Sequence, residues 1–305
     1  MPAFIFKRIV QALLVLVVVV SATFLMVRLA PGSPFGAERK LDPAVEQRLN
    51  AHYHLDGTIP EQLLCYWRNL LQGNLGESLK YKNRTVVEIL AQALPKSALV
   101  GSCALVLALG VGIVAGSLAA VYHNGPLDRA AMLLALSGIC LPPFLLAPLA
   151  ILVFGIYFQC FPVAGWGSLD HLVLPALCLA APYAAYCSRL MRSSMLDVLD
   201  QDYIRTARAK GVGESTVVFR HALKSAILPL VSFTGPLAAN ILTGSMVIED
   251  VFKIPGLGPF FVNSVLTRDV FLLGGTVIVY FTVLITLNTC VDILYTVLDK
   301  RIKLL

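Results

Sequence analysis

Nineteen residues, Ile9 to Val27, run without a charged side chain, and that run decides most of what this chain can fold into. At about 1.5 Å of rise per residue it matches the ~30 Å thickness of bilayer hydrocarbon. It is also longer than the roughly 7–15 residues of a signal-peptide core, so it reads as a retained first span. Five further apolar stretches follow, at about 98–121, 132–158, 172–191, 226–248 and 271–298. Backbone polar groups in lipid must be satisfied within the chain, which makes such stretches helices. The fold class is therefore all-α: a polytopic helical bundle of six spans. Composition agrees, because 57% of residues are hydrophobic and 14% charged, whereas soluble domains carry about 25% charged residues.

Lys7 and Arg8 precede the first span, and the positive-inside rule keeps that end in the cytoplasm. Six spans then return the C-terminus to the same side. The short outer loops hold few cations, Lys253 and Arg268. Most others assigned outside lie between Arg39 and Lys96, a segment long enough to weaken the rule. The formal charge of +6 is better explained by this topology than by a nucleic-acid surface, because the basic residues are scattered.

The expected organisation is residues 1–30 as tail and first span, 31–97 as a small helical subdomain outside, 98–298 as a five-helix core with an inner loop at 192–225, and 299–305 as a tail. Within 31–97, Asp42-Pro43 fits the start of a helix ending near His54. A second helix begins at Pro60, with Leu63, Leu64, Trp67, Leu70 and Leu71 as its stripe and Gly73 as its end. Thr85 and Glu88 form a capping box for a third, closed by Pro95. The seven cysteines include no C-x-x-C pair and read as small buried hydrophobes. His52 and His54 read as solvated rather than metal-ligating. Gly110, Gly112 and Gly116 permit close helix approach, and Pro142, Pro143, Pro148, Pro175 and Pro182 permit bends.

Residues 202–229 are the one long polar run in the second half of the chain. Asp202 suits a helix start, Arg208 and Lys210 the last turn, and Gly211 a left-handed stop. A second helix is expected from about Ser215, gathering Val217, Val218, Phe219, Ala222 and Leu223 on one face. Two capped helices tethered at both ends to spans suggest a docking element rather than a solvated loop.

Absences narrow the chemistry. Proton-coupled carriers place ionisable groups at mid-membrane, whereas Arg189 and Asp292 lie towards the inner span ends and Glu249 and Asp250 at an outer edge where solvation accounts for them. No G-x-x-x-x-G-K-[ST] loop is present to cradle phosphates, and no H-E-x-x-H or G-x-S-x-G motif to support hydrolysis. The chain is expected not to be an enzyme and to hold no catalytic, cofactor or metal site. If transport is driven, another chain drives it.

RTARAKG with the following RHAL and ILP, together with MVRLAPGSPF (26–35), GNLGESLKYKNRTVVEILAQALPKSA (73–98), LPPFLLAPLAILVF (141–154), GSMVIEDVFKIPGLG (244–258) and RD (268–269), resembles the ABC importer permeases of the dipeptide, oligopeptide and nickel branch. The resemblance covers nearly the whole chain. It implies a multi-pass protein of the bacterial inner membrane, paired with a second permease subunit, two cytoplasmic ATPase subunits that bind the ATP, a periplasmic peptide-binding protein and a peptide substrate. It also implies that Arg205, Thr206, Ala207, Ala209, Gly211, Phe219, His221 and Leu223 meet an ATPase, with Arg205 standing where the general family motif is acidic. For a pore, the weakly polar Thr234, Asn240, Thr243, Ser245 and Asn288 are candidates, each also able to make an ordinary interhelical or helix back-bond. The alternatives are a proton-coupled peptide carrier, or a related permease for nickel, glutathione or heme.

Overall fold

The computed structural model describes residues 2–29 and 57–298. The expected helix from Asp42 to His54, the His52/His54 pair and the 299–305 tail lie outside the described residues. The helices in order are α1 (Pro2–Leu29), α2 (Ile59–Leu71), α3 (Val86–Val121), α4 (Pro126–Cys140), α5 (Pro143–Ala150) continuing as a π-helix (Ile151–Tyr157), and α6 (Asp170–Leu199). They continue as α7 (Asp202–Ala209), α8 (Glu214–Thr216), a second π-helix (Val217–Ala222), α9 (Leu223–Ala226), α10 (Leu228–Val251), α11 (Leu257–Thr267) and α12 (Val270–Leu298). Five of these are long and apolar enough to cross a bilayer, and a sixth span results if α4 and the helix from Pro143 to Tyr157 count as one.

That third span departs from expectation. The run at 132–158 is not one rod, because the chain bends by 106° between Cys140 and Pro143. Leu141 (φ −89°, ψ 113°) and Pro142 (φ −63°, ψ 145°) are extended. Each precedes a proline, whose ring disfavours helical backbone in the residue before it, and a proline has no N–H for the helix ladder. Pro95 does the opposite of what was expected. It sits inside α3, which continues unbroken to Val121.

The described residues form two compact units, one within Met1–Ser97 and Pro255–Thr286, the other within Ala98–Ile254 and Leu287–Lys303. Pro255–Thr286 thus group with the first unit. The reason lies in the first unit's contacts. Asp269 is fully buried and accepts hydrogen bonds from the Ser78 hydroxyl, the Lys80 N–H (3.3 Å) and the Leu272 N–H (3.1 Å). It thus caps α12 and holds the hairpin whose Glu77 pairs with Thr85. Tyr66 lies over Gly274, where any side chain would collide with its hydroxyl. The Trp67 indole N–H donates to Ser21 Oγ at 3.0 Å, and the Ser97 hydroxyl accepts from the Leu257 N–H at 2.8 Å. The Thr85–Glu88 capping box forms at the start of α3, at 3.1 and 3.2 Å.

In the second unit a continuous apolar core joins Val100, Ala104 and Ala108 of α3, Leu179, Met191 and Met195 of α6, and Leu230, Leu237 and Ile241 of α10. Gly112 and Gly116 bring α3 against Cys187, Ser188 and Met191 of α6. Gly138 of α4 meets Ala185 of α6. At the end where α6 begins and α10 finishes, the Gly165 N–H donates to the Phe252 carbonyl at 2.8 Å, so these two helices run antiparallel.

Candidate functional site

At the other end of α6 the chain turns through Asp200 and Gln201 into α7. Gln201, with ψ 148°, is the residue that breaks from helix, and its side chain makes no capping hydrogen bond; Asp202 is the first helical residue, not the expected cap. The stop is as expected. Gly211 has φ +78°, its N–H reaches the Arg208 carbonyl at 3.0 Å, and the Val212 N–H reaches the Ala207 carbonyl at 3.2 Å, which is a Schellman cap. Across that turn the Arg208 guanidinium grips the Glu214 carboxylate with two hydrogen bonds, one of 3.1 Å from Nε. The grip lowers the Glu214 pKa and raises that of Arg208.

Ile204, absent from the expected residues, anchors α7: it is fully buried in the core. Ala207 and Val212 pack against the same core. The outward side carries Arg205, Thr206, Ala209 and Gly211, all exposed, with Tyr203 46% exposed beside them. Thr206 Oγ1 donates back to the Asp202 carbonyl at 2.9 Å, and Arg205 lies 3.7 Å from Asp200 and 3.9 Å from Asp202. A charge pair this exposed contributes little to stability and leaves the guanidinium available.

The second helix differs from the expected face. Val217, Val218 and Ala222 are buried, but Phe219 is 69% exposed. The cause is the π-helix at Val217–Ala222. Its wider turn rotates the residues out of the 3.6-residue register that placed Phe219 inside. Phe219 therefore joins the outward side, with His221 half-buried and Leu223 packed on the core. Of the expected docking residues, Arg205, Thr206, Ala209, Gly211 and Phe219 are surface, whereas Ala207 and Leu223 hold the element down.

The pore candidates separate. Thr234 Oγ1 donates to the Leu230 carbonyl at 2.9 Å, the ordinary back-bond. Asn240 is exposed and Asn288 half-buried; the side chains of Thr243 and Ser245 lie outside the described residues. Glu249 corrects the solvation argument, because it is fully buried. It sits in the last turn of α10, and its carbonyl accepts from the Ile254 N–H in another Schellman cap. Asp250 is exposed, with Lys253 Nζ 3.1 Å away. Among the described residues no group of three His, Cys, Asp or Glu side chains could hold a metal.

The family of binding-protein-dependent transport system inner membrane components matches residues 112–304. The oligopeptide transport system permease protein OppB of Haemophilus influenzae is 41% identical over 99% of this chain and 100% of its own length. The dipeptide transport system permease protein DppB of Bacillus subtilis is 42% identical over 100% of this chain and 99% of its own. The solved structure of the MetNI methionine ABC transporter in inward-facing conformations covers 70% of this chain and 97% of its own at 16% identity, with a TM-score of 0.58, a likeness of fold. With identity sustained end to end and the family match running from within α3 to residue 304, this chain belongs to the binding-protein-dependent transport system inner membrane components, as a multi-pass ABC permease subunit.

Proposed function

We propose that this permease carries peptides, dipeptides or short oligopeptides, inward across the bacterial inner membrane. A second permease subunit completes the pathway, two ATPase subunits bind from the cytoplasm with the α7–α9 element seated on one of them, and a periplasmic binding protein delivers the peptide. ATP belongs to the ATPase subunits; this chain contributes no catalytic group. The observation that carries the reading is full-length identity of about two residues in five to both oligopeptide and dipeptide permeases, supported by a docking element anchored through Ile204 and capped at Gly211.

Physically, ATP-driven closure of the ATPases draws the docking elements together and tips the bundle outward-open, and hydrolysis resets it. Reconstitution in liposomes tests this. Peptide uptake should require ATP inside, both permease subunits, the ATPases and the binding protein. Uptake by this chain alone under a pH gradient sinks the proposal in favour of a proton-coupled carrier, and ATP-driven uptake of nickel, glutathione or heme but no peptide sinks the substrate assignment.

A further inference from the structure

Exposed residues on α3 are dominated by aliphatic side chains, Val106, Val111, Val114 and Leu118, as are those of α4, Leu133, Leu134, Leu136 and Ile139. Such faces suit lipid. One face of α6 does not. Tyr186 (50% exposed), Arg189, Ser193 and Asp197 recur at three- and four-residue spacing, so they form one stripe. On α10 the exposed stripe is Pro229, Pro236, Asn240, Val247 and Asp250. The two stripes adjoin, because the Tyr186 ring stacks on Phe233 of α10 with centroids 4.8 Å apart and planes at 26°.

Arg189 has no hydrogen-bond or ion-pair partner among the described residues. A guanidinium within a span is costly against hydrocarbon and useful against water or an anion. Its neighbours on α6 turn elsewhere: the Ser188 backbone and Met191 pack on Gly116, and Arg192 holds Asp128 through two hydrogen bonds of 2.6 and 2.7 Å. Arg189 is thus the α6 cation left facing outward. Because α6 and α10 are antiparallel, Asn240 lies outward of the Tyr186–Phe233 stack and Arg189 lies towards the docking element. Seven residues of α10 and three of α6 separate them by about 15 Å along the helices, and an extended peptide covers that in roughly four or five residues.

We propose that Arg189, with Tyr186 beside it and Asn240 above, forms a step of the translocation path that receives the C-terminal carboxylate of the peptide. A planar guanidinium pairs with a carboxylate through two parallel hydrogen bonds. The Tyr186 hydroxyl and the Asn240 amide offer the weak, sequence-independent contacts that passing backbone amides can use. This step rests on the peptide-importer reading above, and its test separates the two.

The complete complex is reconstituted with a tetrapeptide supplied as the free acid or as the C-terminal amide, each at saturating, verified loading of the binding protein. Maximal uptake is compared for wild type, Arg189→Gln and Arg189→Lys. Loss of a charge-assisted hydrogen-bonded pair should lower Arg189→Gln uptake of the free acid about tenfold, leave its amide uptake within about twofold, and be largely restored in Arg189→Lys. Equal loss for both peptides, or no loss for either, overturns the step, the second outcome being that of a side chain reaching the membrane surface or covered by the second subunit. A wild-type complex that moves neither peptide overturns the importer reading and this step with it.

Discussion

Replacing Gly116 by alanine probes a close approach of α3 and α6 in the second unit. A Cβ at this position would stand 2.7 Å from Met191 Cβ and 3.0 Å from the Arg192 backbone nitrogen, and closer still to the Ser188 carbonyl oxygen. Carbon atoms pack at about 3.5–4.0 Å, so α3 and α6 would have to part by roughly 1 Å. Two of the three obstacles are backbone atoms, which no rotamer change can remove. Overpacking of this kind costs about 1–3 kcal/mol, and the better helix propensity of alanine offsets up to about 1 of it, leaving a net loss of about 1–2 kcal/mol. Gly110 is the internal control, because a Cβ there meets nothing within 4 Å. Thermal and denaturant unfolding of the purified protein in mild detergent should show Gly116→Ala weakened and Gly110→Ala equal to or above wild type. Equal stability of the two variants would refute the close α3–α6 contact and the reasoning built on it.

Three other perturbations follow from single contacts. Arg192→Gln strips the bidentate partner from Asp128, whose side chain is only 4% exposed, and should cost about 3 kcal/mol in the same unfolding assay; Asp128→Asn added to it should recover part of the loss. Lys253 holds a left-handed backbone (φ +53°) at the end of α10, so Lys253→Gly should stabilise the protein by about 0.5–1 kcal/mol, less the small worth of its exposed pair with Asp250; a decrease would show that the turn is not under strain. Ile204→Ala empties a fully buried anchor site and should cost about 2–4 kcal/mol. Its local signature is faster proteolysis between Asp200 and Gly213 with peptide uptake lost and the remaining helices protected.

Features governed by one dominant force were legible in the residues. The spans follow from the need to bury backbone in lipid, so the runs at Ile9 and after could be read directly, and Gly211 announced its turn because glycine alone enters the left-handed region without strain. Features decided by competition were not. Pro142 and Pro143 allowed a bend within 132–158, but nothing in the residues set it at 106° or showed that it splits the run into two helices. Pro95 was read as a stop and is an interior residue. Gly110, Gly112 and Gly116 look alike as letters, yet one meets open space and two meet α6. Lys253 and Arg268 occupy left-handed positions normally signalled by glycine. Phe219 faces outward because a π-helix shifts its register, and no periodicity count at 3.6 residues can anticipate that. Glu249 looked like an edge residue from its place near the end of a span, yet its side chain is fully buried.

These differences converge on α6. The helix is held by α3 through Gly112 and Gly116, by α4 through Gly138 and the Asp128–Arg192 pair, and by α10 through the Tyr186–Phe233 stack. Its Met191 and Met195 lie in the same core as Ile204, Val217, Val218 and Ala222 of the docking element. Interiors packed at this density transmit displacement instead of absorbing it. A pull on α7 would therefore reach α6 through the core that Ile204 shares with the second π-helix, and the Schellman turn and the Arg208–Glu214 grip stiffen the point of attachment. Arg189 stands ten residues, about 15 Å, before the end of that helix. The element that would receive force from an ATPase and the cation that would meet the peptide are thus carried on one body, and a movement large enough to open the path must also move the arginine.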